Sequence, residues 1–129
     1  MELPPALRPG AISRWTREIS EDDVVRFADL SGDRGRHHRE RDERGRLMAH
    51  GLLTATLPTK LGGDLDYIAR TMEFNFLKPV YSGDVLTCEG SVVSTVVQSV
   101  RYRVRLSFEV RNQDGEVVLT GTTSGQIAR

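Results

Sequence analysis

At 129 residues the chain suits one domain with room for a core, and 38% hydrophobic against 28% charged residues is the balance of a folded globular protein. Lys+Arg and Asp+Glu both number 18, so no net field gathers polyanions, and a dedicated nucleic-acid role is disfavoured. The single Cys88 excludes an intramolecular disulfide framework and any multi-cysteine zinc centre, which fits a reducing compartment, and no stretch reaches the roughly 18 apolar residues of a membrane span.

The N-terminal "MELPPALRPG" lacks the apolar stretch of a signal peptide, so a cytoplasmic location is expected. A first strand is expected near Ala11 to Ile19. "SEDDVVRFADLSG" then carries a helix start, with Ser20 as cap, Asp23 as its partner three residues on, and acidic residues in the first turn. Val24, Phe27, Ala28 and Leu30/Ser31 share one side of that helix, and Gly32 supplies its stop, leaving Asp33 just past the end.

A second apolar segment begins at Met48, "MAHGLLTATLPTKLGG", where Leu52, Leu53, Leu57 and Leu61 are spaced for a helix buried nearly all round. Pro58 predicts a kink or an early end, and Gly62-Gly63 predict termination. From Tyr67 onward the period becomes two. "YIARTMEFNFLKPV", "DVLTCEGSVVSTVV", "SVRYRVRLSFEVRN" and "GEVVLTGTTSGQIA" read as four strands joined by turns at "YSGD" and "NQDG". Arg101, Arg103 and Arg105 alternate with Tyr102, Val104 and Leu106, so the sheet has one wet face. The expected class is therefore α+β: an antiparallel sheet of about five strands with one buried helix to cover its apolar face.

"FADLSGDRGRHH", "MAHGLLTATLPTKLGG" and "MEFNFLKPVYSGDVLTCEGSV", in that order, resemble the MaoC-like family of (R)-specific enoyl-CoA hydratases and 3-hydroxyacyl-thioester dehydratases. The resemblance spans roughly residues 18 to 128 and implies a hotdog fold, a curved sheet wrapped around a central helix, over residues 1–129 as a single domain. It further implies a hydro-lyase acting on a 2-enoyl or (3R)-3-hydroxyacyl thioester of coenzyme A or acyl carrier protein. Asp33 and His38 are the implied acid/base pair and Gly51 the implied oxyanion-hole donor. Thr59 and His50 are the implied substrate- or water-positioning residues, although a histidine at a helix start also satisfies local backbone groups. Of the adjacent His37 and His38, the five-residue spacing from Asp33 selects His38.

The chemistry needs these residue types. Adding water across a double bond conjugated to a thioester requires one group to take a proton from water and one to deliver a proton to the α-carbon. A carboxylate and an imidazole share that work through one water, and free N–H groups at a helix start receive the charge that develops on the thioester oxygen. No cofactor is expected beyond the coenzyme A or phosphopantetheine that the substrate carries, and the expected partners are the acyl thioester, a second copy in a homodimer, and an acyl carrier protein. No nucleic acid or membrane is expected.

Other readings stay open. His37, His38, Glu40, Asp42 and His50 could be drawn as a metal site, but their spacing matches no ligand pattern, so no metal is expected. The arginines at 34, 36, 39, 41, 44 and 46 could grip phosphates or an acidic carrier, or form a solvated loop. Gly35-Arg36 stand where the family has Asn-Pro, and the link from His38 to His50 is shorter than the family's. These departures keep two alternatives in view: a polyketide-type dehydratase with altered chemistry, and an acyl-thioester-binding protein without turnover. A hotdog thioesterase would want a carboxylate along "HGLLTATLPTKL", which has none.

Overall fold

The computed structural model describes residues 2–129. Its order is β1 (Ile12–Glu18), α1 (Glu21–Ser31), a single turn α2 (Arg36–Arg39), α3 (Gly51–Thr54), α4 (Thr56–Asp64), then β2 (Ile68–Phe76), β3 (Val85–Val97), β4 (Arg101–Arg111) and β5 (Val117–Ala128). The five strands form one antiparallel sheet in the order β1-β3-β4-β5-β2, the hotdog arrangement, with α4 lying against it. The alternation in β4 sorts as its sequence implies, Val104, Leu106, Phe108 and Val110 inward and Arg101, Arg103 and Arg105 outward. Leu53, Leu57 and Leu61 of the helices meet Leu86, Cys88, Val104 and Leu119 of the sheet in the core. Burial pushes the Cys88 thiol up to about 12.

α1 begins with the reciprocal capping box: the Asp23 N–H donates to the Ser20 hydroxyl at 3.0 Å and the Ser20 N–H to the Asp23 carboxylate at 2.8 Å. Gly32 ends the helix in the left-handed region, φ 79°, where a side chain would be strained. Val24 and Ala28 are buried and Phe27 packs on the core, but Leu30 is 84% exposed and lies off the apolar face assigned to it.

The central helix departs from its sequence reading in two places. Met48 is extended, not helical: residues 47–49 run beside 80–82, with the Ala49 N–H donating to the Val80 carbonyl at 2.7 Å and the Ser82 N–H to Leu47 at 2.8 Å. The helix therefore opens at Gly51. Leu52 is 64% exposed, so the helix is buried on one side only. The break expected near Pro58 falls at Ala55, three residues before it, and α4 starts so that Pro58 occupies its first turn, where a missing N–H costs no helical bond. The helix ends at Asp64, one residue past Gly63, and Gly62 also makes room for Tyr67, whose ring lies 3.3 Å from where a Cβ would stand. Asp66 takes the left-handed position, φ 56°.

Candidate active site

The pairing of residues 47–49 with 80–82 carries the start of α3 to one end of the sheet, beside the last residues of β2. Capping of α1 by Gly32 turns the chain over the same spot. Asp33 follows, shaped by its own neighbours: its N–H donates to the Ser31 hydroxyl at 3.0 Å, and the Gly35 N–H donates to its Oδ1 at 3.1 Å. That Gly35 bond, with the nearby His38 adding to it, holds the Asp33 carboxyl below the ordinary carboxylate range.

His38 sits one short helical turn later and is 5% exposed. Its Nδ1 lies 2.6 Å from the Met48 carbonyl. A carbonyl can only accept, so Nδ1 carries a proton and Nε2 is the ring nitrogen left to face the site. That Nε2 faces the Asp33 Oδ2 at 3.6 Å. His37 is exposed, its ring 3.9 Å from that of His38.

Asp33, His38 and Gly51 line one open cleft of about 440 Å³, walled on its far side by Phe76, Leu77 and Val80. Gly51 opens the helix, so its N–H has no intrahelical carbonyl to meet. Its missing Cβ matters locally, because a methyl there would stand 2.9 Å from Cε1 of Phe76.

The two positioning residues expected from the sequence, Thr59 and His50, do not line this cleft. Thr59 is exposed, donates to the Ala55 carbonyl at 3.0 Å, and borders a separate apolar cleft with Tyr67, Met72 and Phe74, one turn further along the helix. It is not beside Asp33 and His38. His50 does not line the cleft either; it is 2% exposed, stacked behind His38 with ring centroids 3.6 Å apart and planes 15° apart. The residue the sequence reading missed is Thr54, 3% exposed, which contributes the one side-chain hydroxyl among the cleft's described lining residues. The signal for it was its place three residues after Gly51, on the same side of the helix.

Asp33, His38 and His50 offer nitrogen and oxygen atoms within 4.8 Å of one another, a spacing that a metal could span. The ring geometry opposes it. Imidazole lone pairs lie in the ring plane, and two nearly parallel rings at this stacking distance direct theirs into separate planes that do not converge on one ion.

The arginine-rich loop is largely tied to itself. Arg34 reaches Asp29 at 3.0 Å, Arg36 reaches Glu40 at 3.6 Å, and Arg41 pairs with Glu21. Arg39 donates to the Arg34 carbonyl at 2.7 Å, and Arg46 donates twice to Asp42 while lying over the Tyr81 ring. The solvated-loop reading is the one these contacts favour over a set of free phosphate grips.

Fold and cleft together define a hotdog protein whose central helix opens beneath a carboxylate–imidazole pair. A family model described as the thioesterase superfamily matches residues 47–119. A 3-hydroxybutyryl-CoA dehydratase of Methylorubrum extorquens is 36% identical over 126 aligned positions, covering 89% of this chain and 77% of that protein. Among solved structures, the unliganded R-hydratase of Pseudomonas aeruginosa superposes with a TM-score of 0.82 at 26% identity, covering 95% of this chain and 86% of that one. The (R)-hydratase of A. caviae involved in PHA biosynthesis gives 0.82 at 25%, covering 95% and 98%. The chain belongs to the thioesterase superfamily of hotdog proteins, among its MaoC-like hydratase and dehydratase members.

Proposed function

We propose that the protein is a hydro-lyase that adds water to a 2-enoyl thioester, or removes it from the (3R)-3-hydroxyacyl thioester, with Asp33 and His38 as the acid/base pair. The observation that carries this reading is the approach of the His38 Nε2 to the Asp33 carboxylate, 3.6 Å, at the opening of the central helix. A water bridging the two loses one proton to the pair as its oxygen bonds to C3. The double-bond electrons move toward the thioester oxygen, where the Gly51 N–H receives the charge, and the pair returns a proton to C2. Dehydration runs the same steps backwards. Thr54 is the hydroxyl best placed to steady the water. No group beyond the side chains and the thioester's own carrier, coenzyme A or acyl carrier protein, enters these steps.

We further infer a homodimer through β2. This strand ends the sheet, and Ile68 and Met72 on it are each more than half exposed. Sedimentation of the purified protein at micromolar concentration is expected to show two copies.

Loss of the conjugated enoyl absorbance of crotonyl-CoA and longer enoyl thioesters tests the activity. Asp33→Asn and His38→Gln are each expected to lower kcat by roughly 10²–10⁴-fold. Release of free thiol without hydration would instead favour a thioesterase, although no carboxylate stands on the helix between Gly51 and Gly63. Tight acyl-thioester binding without turnover would favour a binding protein.

A further inference from the structure

His50 is placed where three parts of the site meet. It precedes Gly51 directly and its own carbonyl accepts the Leu53 and Thr54 N–H groups that begin the helix. Its Nε2 lies 2.8 Å from the Asp33 backbone carbonyl, and its ring face backs that of His38. Phe27 closes the other approach, its ring edge-on at 4.9 Å.

The bonding fixes the ring's chemical form. The Asp33 carbonyl only accepts, so Nε2 carries the proton. Nδ1 is sealed from solvent and has no hydrogen-bond partner, and among the described residues it is the only buried side-chain nitrogen or oxygen in that condition. A proton there would be a buried donor with nothing to bind, set against a neighbour that must gain a proton during turnover. A neutral ring offers His38 a π face instead.

The loop has need of such a hold. The bonds from Ser31 and Gly35 shape the Asp33 turn but belong to the turn itself, whose aspartate side chain is 58% exposed. The bond to His50 crosses 17 residues and is the contact that registers Asp33 against the helix start. Gly32 and Gly35 flank Asp33, and the other contacts of this stretch, Arg34 to Asp29 and Arg39 to the Arg34 carbonyl, are exposed.

We propose that His50 is a positioning residue: as the neutral Nε2–H tautomer it pins the Asp33 carbonyl and backs the His38 ring, setting carboxylate, imidazole and the Gly51 amide at fixed separations. This rests on the hydro-lyase reading, and it concerns how the pair is held rather than what the pair does.

Two substitutions separate the hydrogen bond from the bulk. His50→Gln keeps an N–H able to reach Asp33, while His50→Phe keeps a stacking ring and loses the donor. In folded protein, His50→Phe is expected to lower kcat by roughly 10–100-fold with KM changed by less than about twofold, since misplacement by about an ångström suffices for such a loss. His50→Gln is expected to recover most of kcat. Wild-type turnover by His50→Phe, or a His50→Gln variant no better than His50→Phe, would overturn the proposal. Long-range ¹H–¹⁵N spectra of the wild-type protein supply a readout independent of turnover. They are expected to show His50 protonated at Nε2 and bare at Nδ1, and a proton on Nδ1 would overturn the proposal even if His50→Phe fails to fold. If the wild-type protein hydrates no enoyl thioester, the hydro-lyase reading falls while the spectra still judge the tautomer and the hold on Asp33.

Discussion

Replacing Gly51 with alanine is expected to leave stability nearly unchanged while lowering activity. Gly51 has negative φ and sits at the first position of α3, so alanine is conformationally permitted there and stabilises by about 0.4–1 kcal/mol through the unfolded chain. Against that stands one contact. The new methyl would lie 2.9 Å from Cε1 and 3.0 Å from Cδ1 of Phe76, too close to stay, but the ring is 52% exposed and can swing away. The net change in stability should thus fall within about 1 kcal/mol of zero, a Tm shift of at most roughly 5 °C for a chain of this size. The cleft has no such relief. Phe76 and Gly51 line the same cleft, so on the proposed mechanism the methyl and the ring it displaces would crowd the N–H that receives the thioester oxygen, and losing such a donor costs about 2.7–4 kcal/mol of barrier, or 10²–10³ in kcat. Thermal melts and enoyl-thioester hydration on the same preparation read both quantities. Adding Phe76→Ala should restore part of the rate, because the ring no longer has to be displaced into the cleft. Undiminished turnover by folded Gly51→Ala would refute the assignment of that amide, and an intact rate with a large loss of Tm would refute the packing argument as well.

Thr54→Val and Thr59→Val should differ although both delete one hydroxyl: the first is expected to lower kcat by about tenfold, a loss of about 1.4 kcal/mol, and the second to leave it within about twofold, since Thr59 lies outside the cleft. Equal effects would return Thr59 to the site. Burial alone would raise the Asp23 carboxyl, but the bonds from the Ser20 N–H and Arg17 outweigh it and leave it lowered. A carboxyl depressed in the folded state stabilises above its unfolded value, about 3.9, and that contribution disappears as pH falls through the folded value. The Tm advantage of the wild type over Asp23→Asn should therefore be level from neutral pH down to about 5 and shrink below about 4; an advantage unchanged at pH 3 would show that the carboxylate's charge is not the source.

The sheet was legible because its signals are local. Alternation in β4 and turn residues at 81–84 and 112–115 fix strand bounds, and five strands of this length leave few ways to bury one apolar face. The helix was less legible because tertiary pairing overrode propensity. Met48 and Ala49 read as a helix start, yet their N–H and carbonyl groups bond to His37, His38 and Val80, and that outcome depends on a strand end more than 30 residues away. Proline and glycine punctuation held to within a few residues: the helix breaks at Ala55, three before Pro58, and ends at Asp64, one past Gly63.

The site divides along the same line. The five-residue step from Asp33 to His38 is local geometry and survives translation into three dimensions as a 3.6 Å approach. Which helix residue joins them is not local. Thr54 and Thr59 are five positions apart, about 500° of helical turn, so the side of the helix each presents depends on where the helix begins and where it is interrupted. Extended backbone through His50 and the break at Ala55 settle that choice in favour of Thr54. The charged run from Arg34 to Arg46 then has a structural reading. By pairing with Glu21, Asp29, Glu40 and Asp42 its arginines tie the loop to itself and to both the first residue and the last turn of α1, so the loop that carries Asp33 and His38 is braced from the solvent side while His50 holds it from within. Exposed pairs of this kind contribute little singly, about 0–1 kcal/mol each, so neutralising one should hardly be felt, whereas removing the buried bond from His50 to Asp33 should be.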